Sequence, residues 1–213
     1  MSSYGITQSG SSGSFSYTFS GSLANRPVVY VSWFDAARFA NWMMNGQGSS
    51  DMETGAYTLN NATSGIITAN IGAQVYLPSE NEWYKAAYYN AVNTSYSLFP
   101  NGQNTITTAD ANYSSSASTN VGTYSGDASS YGTFDQGGNV DERNDAVVNG
   151  TNRGVRGGAW SGNDLNLRSS TRNSPAPSLE LFLIGFRVAS VPEPTSIFLT
   201  ALASGMMLIL RKR

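Results

Sequence analysis

The spacing of hydrophobic positions changes several times along the chain. Residues 14–20 alternate Ser, Phe, Ser, Tyr, Thr, Phe and Ser, the period of two that predicts a strand. Val28, Val29, Tyr30 and Val31 form a short apolar run, a second strand candidate. From residue 32 the period becomes helical. Trp33, Ala36, Ala37, Ala40, Met43 and Met44 share one face, and Asp35, Arg38 and Asn41 turn away from it. Ser32 with Asp35 three residues on fits a capping box, and Asn45-Gly46 supplies a stop, so the spacing predicts a helix over 32–45. The apolar stripe reads as core packing rather than a cofactor box.

Residues 47–74 read as a polar connection with short hairpins, such as 56–59 before Asn60-Asn61. Val75, Tyr76 and Leu77 predict a strand. A second helix opens after Pro78, with Ser79 as its cap and Glu82 closing the box. Glu80 and Glu82 sit at the positive end of its dipole, and Trp83, Ala86 and Ala87 form the buried stripe. Residues 90–130 are rich in Asn, Ser and Thr. A loop of that length in a compact domain is functional or tied down, and 121–124 are expected to return to the core.

The stretch 131–190 is the centre of the chain. Gly132, Gly137 and Gly138 lead into Val140, Asp141, Glu142 and Arg143; Arg156-Gly157-Gly158-Ala159-Trp160 and Gly185-Phe186-Arg187 follow. Glycine permits positive φ or close backbone approach, so this region reads as an irregular core. Pro192-Glu193-Pro194 marks a boundary, followed by an uncharged apolar span over 195–210 and by Arg211-Lys212-Arg213. The span is shorter than the ~20 residues that cross a bilayer, but its basic end fits positive-inside placement. A membrane-directed tail is preferred over a buried helix. The N-terminus shows no charged segment followed by an apolar one, hence no signal peptide. The division is a polar strand region at 1–26, a domain at 27–190 and a tail at 191–213.

Composition narrows the chemistry. Of 213 residues, 40% are hydrophobic and 12% aromatic, enough for a sizeable core. Only 12% are charged, about half the usual ~25%, and a neutral, hydrogen-bonding surface mildly favours an exported protein. Net charge is −2 and the last three residues are the one basic cluster, which argues against nucleic-acid binding. The chain has no Cys and no His. Disulfides, thiolate catalysis and zinc ribbons are therefore excluded, and a bound metal must be a hard cation held by oxygen. Asp135 and Glu142, folded back by Gly137-Gly138, either converge on such a cation or are solvated turn acids; spacing alone favours the turn. Arg156 and Arg187 read as structural arginines that pair with Asp and stack on Trp160. For Arg168 and Arg172 an anion site stays equally open. Ser161 and Ser169 lack a His partner for nucleophilic work.

Four segments in order resemble the formylglycine-generating-enzyme family, also called the sulfatase-modifying-factor domain. They are residues 27–36, Leu77-Pro78-Ser79-Glu80-Asn81-Glu82-Trp83, Gly137-Gly138-Asn139-Val140-Asp141-Glu142, and Arg156-Gly157-Gly158-Ala159-Trp160 with Gly185-Phe186-Arg187. The resemblance implies an α+β, C-type-lectin-like fold with much irregular chain. The family's earlier strand and helix have no counterpart here, which implies a short or N-terminally truncated member. The tail is similar to the PEP-CTERM sorting signal of Gram-negative bacteria. That likeness implies export, capture in the inner membrane and processing by exosortase-type sorting machinery, with residence at the membrane, the cell surface or outside.

The resemblance also implies site residues. Asp135, Gly138, Val140 and Glu142 match a family calcium site, side chains at the ends and backbone carbonyls between. The family has Trp on both sides of this Glu; here they are Asp141 and Arg143, and Arg143 is expected to pair with Glu142. Asn112 and Tyr113 resemble the start of a second calcium site. The cysteines that bind copper in the family's oxidase, and the histidines of its iron-dependent relatives, are absent, so neither copper nor iron is expected. The leading expectation is a non-catalytic, calcium-stabilised domain that binds a surface ligand through 161–183, with Trp160, Asn163, Asp164, Arg168 and Arg172 as its face. The alternatives are a sulfatase-maturing oxidase whose ligands come from elsewhere, and a functionless fragment.

Overall fold

The computed structural model describes residues 6–11, 14–19 and 21–191. It is an α+β fold in which irregular chain outweighs both helix and strand. Two helices, α1 (Trp33–Met44) and α2 (Glu80–Tyr88), begin with complete capping boxes at Ser32/Asp35 and Ser79/Glu82. Each box satisfies backbone donors that the first turn leaves free. The helix over 32–45 is thus found to within a residue, with Asn45 as its C-cap.

Trp33, Ala36, Ala37 and Ala40 are fully buried, and they pack with Phe34, Ala56, Tyr57, Leu59 and Leu77 into the main core. Trp33 meets Phe34 and Tyr57 edge-on at 5.3 and 5.4 Å. Asn41 was expected on the solvent face and is instead fully buried. Its amide donates to the carbonyls of Met52 and Tyr57 and accepts from the Tyr57 N–H. A strandless loop buries its backbone there, and Asn41 supplies the missing partners.

Strands are short. β1 (Ile6–Ser11) and β2 (Ser14–Phe19) form an N-terminal hairpin that pairs only with itself. Its register puts Ile6, Gly10, Phe15, Tyr17 and Phe19 on one face and Ser and Thr on the other. β3 (Val75–Tyr76) pairs antiparallel with β9 (Ala189–Ser190), and β4 (Tyr89–Asn90) with β5 (Ser95–Tyr96). The centre is a three-stranded sheet: β6 (Asp141–Val148) lies between β7 (Asn152–Arg156), antiparallel, and β8 (Ile184–Phe186), parallel.

Two local expectations fail. Residues 28–31 form no strand; Tyr30 has φ +59° and its N–H donates to Leu181 O, so the segment docks one bond at a time. Residues 121–124 do not return to the core: Val121 is exposed and joins Asn25 O. The apolar span 195–210, Pro192-Glu193-Pro194 and the basic end lie outside the described residues. Among the described residues no helix is long and apolar enough to cross a membrane.

Candidate functional site

Buried charged pairs join the central sheet to its surroundings. Glu142 on β6 is buried. One carboxylate oxygen accepts the Trp83 indole N–H at 2.6 Å and the Arg187 Nε; the other accepts Arg187 Nη2 at 2.6 Å. Burial works against charge on Arg187, but Glu142 outweighs it and raises the guanidinium pKa. Glu80, first residue of α2, is a second buried carboxylate. Arg156 Nε reaches it at 2.6 Å and Arg172 Nε at 2.7 Å. Burial would raise the Glu80 pKa, yet the two arginines hold it below its usual value. Arg156 also donates to Ser169 O and Thr171 O, which ties the chain after Trp160 to helix α2.

Arg143 does not pair with Glu142. Adjacent strand residues point to opposite faces, so it turns to the other side, where Nε donates to Val31 O and Nη2 to Leu179 O. Burial lowers its pKa to about 10, while Asp35 and Glu180 favour its charge. Nor do the structural arginines stack on Trp160 or pair with Asp, as expected of Arg156 and Arg187; both take Glu. Arg153 covers Trp33 at 3.8 Å and pairs with Asp145 at 2.9 Å. Burial pushes Asp145 up to about 6 against Arg153, whose own pKa burial lowers.

In the expected calcium site both acidic side chains already have protein partners. Both oxygens of Glu142 accept from Arg187 or Trp83, and one oxygen of Asp135 accepts the Gly122 N–H at 2.6 Å. Gly138 has φ +75°, and a Cβ there would lie 2.3 Å from Asn112 O; its glycine is needed for backbone approach. Val140 is buried against Gly185. Asp135 borders a small cavity with Asp110 and Asp127, but among the described residues no three acids converge to hold a metal. Asn112 and Tyr113 have structural bonds: the Asn112 amide donates to Ala117 O and Asn139 Oδ1, and the Tyr113 hydroxyl to Ile106 O.

The five residues expected to share a ligand face are divided among three places. Asn163 caps the 3-10 turn Asp164–Leu167. Asp164 pairs with Arg168 at 3.4 Å, and Arg168 lies over Phe99. Arg172 is committed to Glu80. Trp160 alone opens on a large cleft of about 1020 Å³, lined also by Tyr17 and Phe19 of the hairpin, Arg26, Tyr30 and Phe182. The sequence missed this cleft, because the hairpin, residues 26–31 and Phe182 carry no common motif.

These features define an α+β domain of short sheets, glycine turns and buried Glu–Arg pairs. The chain belongs to the family of the sulfatase-modifying factor enzyme 1-like domain, whose model matches residues 5–191. Among solved structures it is similar to Treponema denticola variable protein 1, at 24% identity and TM-score 0.63, covering 80% of this chain and 73% of that one. It is also similar to CarF, at 24% identity and TM-score 0.58, covering 79% and 69%. A third is PvdO from Pseudomonas aeruginosa, at 19% identity and TM-score 0.51, covering 79% and 63%. These likenesses establish the fold. No curated protein matches the chain.

Asp141 gives the site a pH signature. Among the described residues its carboxylate accepts only the Gly158 N–H, at 3.2 Å, and burial pushes its pKa from 3.8 up to about 6. The folded state therefore binds the proton more strongly than the unfolded one. This acid's effect favours the fold below its unfolded pKa and is lost as pH rises from about 4 to 6. Asp141→Asn keeps an acceptor for Gly158 and removes the buried charge. The variant is expected to be more stable than the wild type at pH 8, by roughly 2 kcal/mol, and equal to it near pH 4. Urea midpoints at the two pH values check this; a constant gap would refute it.

Proposed function

We propose that this domain is a non-catalytic binding module of an exported protein, with the cleft beside Trp160 as its ligand surface. The observation that carries the reading is the chain after Trp160. There Gly162 N–H bonds to Ala159 O and Asn163 and Asn166 cap each other in a tight turn, in a protein with no Cys or His. Copper(I) chemistry needs soft thiolate ligands, and this turn offers amides and hydroxyls. Purified protein incubated with copper, oxygen and a sulfatase-type Cys peptide is expected to leave the peptide unchanged. Mass-spectrometric detection of formylglycine above a no-protein control would overturn the reading.

We also infer that Arg187 takes the electrostatic role of the calcium expected at Asp135, Gly138, Val140 and Glu142. Melting temperatures in excess calcium and in chelator should then agree. Arg187→Met should cost about 3–5 kcal/mol by leaving Glu142 buried and unpaired, and adding Glu142→Gln should restore most of it. A calcium-dependent rise that disappears in Asp135→Ala would instead establish the metal site.

Export and membrane capture are proposed from residues 191–213, whose Pro-Glu-Pro, apolar span and basic end resemble a sorting signal. An exosortase-type processing machinery is the partner this implies. Fused to an exported reporter, residues 191–213 are expected to send it to the membrane fraction, and deletion of Arg211, Lys212 and Arg213 to weaken retention. A fully soluble reporter in a host with that machinery would count against the tail.

A further inference from the structure

The cleft beside Trp160 is bordered by a cation, Arg26, that makes no ion pair among the described residues. Asp35 and Glu180 also border the cleft. Each interacts with the buried guanidinium of Arg143, and Asp35 also accepts from the Ser32 N–H and hydroxyl and lies 3.8 Å from Arg38. Arg143 reaches Val31 O and Leu179 O, so its charge lies directly behind the wall that carries the two acids. Asp35 is thereby engaged, and Glu180 acts on Arg143 at longer range. Arg26 is not engaged in this way: among the described residues no carboxylate comes within 4.0 Å of it. Its Nε is shielded from solvent and has no hydrogen-bond acceptor. Arg26 as a whole is only half-buried and lines the cleft, so the outer part of its guanidinium can meet an acceptor brought there.

The walls specify the rest of that ligand. Phe182 lies between Tyr30 and Trp160, with ring centroids 6.4 and 6.0 Å away, giving a continuous aromatic surface. Tyr17 and Phe19 border the cleft from the hairpin and remain 63% and 70% exposed, so these rings are not covered by the domain's own packing. Uncovered apolar surface beside a fixed polar group is the usual composition of a small-molecule site. The volume of about 1020 Å³ lies at the upper end of the ~300–1,000 Å³ of such sites.

We propose that the cleft binds an organic anion, with its flat apolar body across Tyr30, Phe182 and Trp160 and one carboxylate-like group on the fork of Arg26. The planar guanidinium matches a carboxylate through two parallel N–H···O bonds. Asp35 is already taken by Ser32 and Arg38, and the charge of Arg26 disfavours an organic cation beside it. This assignment rests on the binding reading above. Its failure is separable: formylglycine production would overturn that reading, whereas the experiment below addresses only the ligand class.

The full-length protein is titrated calorimetrically with 2-naphthoate and with its neutral analogue 2-naphthamide. Naphthoate is expected to bind about tenfold more tightly, equivalent to ~1.4 kcal/mol. Arg26→Met should remove that preference and leave naphthamide within about twofold of its wild-type affinity. Trp160→Ala should weaken both probes, which separates the cleft from other apolar surfaces. Should Arg26→Met fail to fold, Arg26→Lys keeps the charge without the fork and should reduce the preference at least about threefold. The proposal is overturned if neither probe binds at millimolar concentration, if the two bind equally, if the preference survives both Arg26 variants, or if Trp160→Ala changes nothing.

Discussion

Glu142 is the residue on which the arrangement depends. Its buried carboxylate takes the Trp83 indole from α2 and the Arg187 guanidinium from the end of β8. Glu80 does the same for Arg156 and Arg172. Two carboxylates thus join α2, the central sheet and the loop beyond Trp160, where the longest strand among the described residues has eight residues. Net energy is not the main gain, because desolvation offsets most of the Coulomb attraction of a buried pair. The gain is selectivity. A planar fork meets a carboxylate in few geometries, so each pair admits one placement of a segment that has little ladder to fix it.

That network gives the family motifs a physical meaning. In Leu77-Pro78-Ser79-Glu80-Asn81-Glu82-Trp83 the Leu fills the core, the Pro carbonyl accepts from Asp145, and Ser79 and Glu82 cap the helix. Glu80 and Trp83 then reach the other motifs. Gly157 completes the fit: its carbonyl accepts the Gly138 N–H at 2.9 Å, and a Cβ there would lie 2.9 Å from Gln136 O. The segments resemble a family together because they touch one another.

What the sequence revealed was local. Capping boxes and the Trp-Ala-Ala stripe operate within a few residues, and both helices were legible from them. The central strand was hidden because the residues it buries include Glu142, Arg143 and Asn144, so no apolar alternation marked it. Expecting Arg143 to pair with its neighbour Glu142 overlooked that a period of two separates adjacent side chains. Asn41 read as a surface residue because its partners come from a loop sixteen residues away. At the site, Trp160 was visible, but Arg26 and Phe182 join it only through tertiary folding.

The closing contacts of the fold also bear on the order in which it can form. β3 finds its partner only in β9, at residues 189 and 190. Trp33 and Tyr30 anchor their amides on Pro177 and Leu181. Glu142 stays unpaired until Arg187 arrives. Each of these closures joins sequence-distant residues, and such contacts slow folding because the connecting loop must be ordered first. During synthesis, the N-terminal half holds the core partners of α1 (Ala56, Tyr57, Leu59 and Leu77) but not Glu142 and Arg156, which hold α2. A chain stopped short of Arg187 would therefore lack both the partner strand of β3 and the charge that neutralises Glu142 when it is buried.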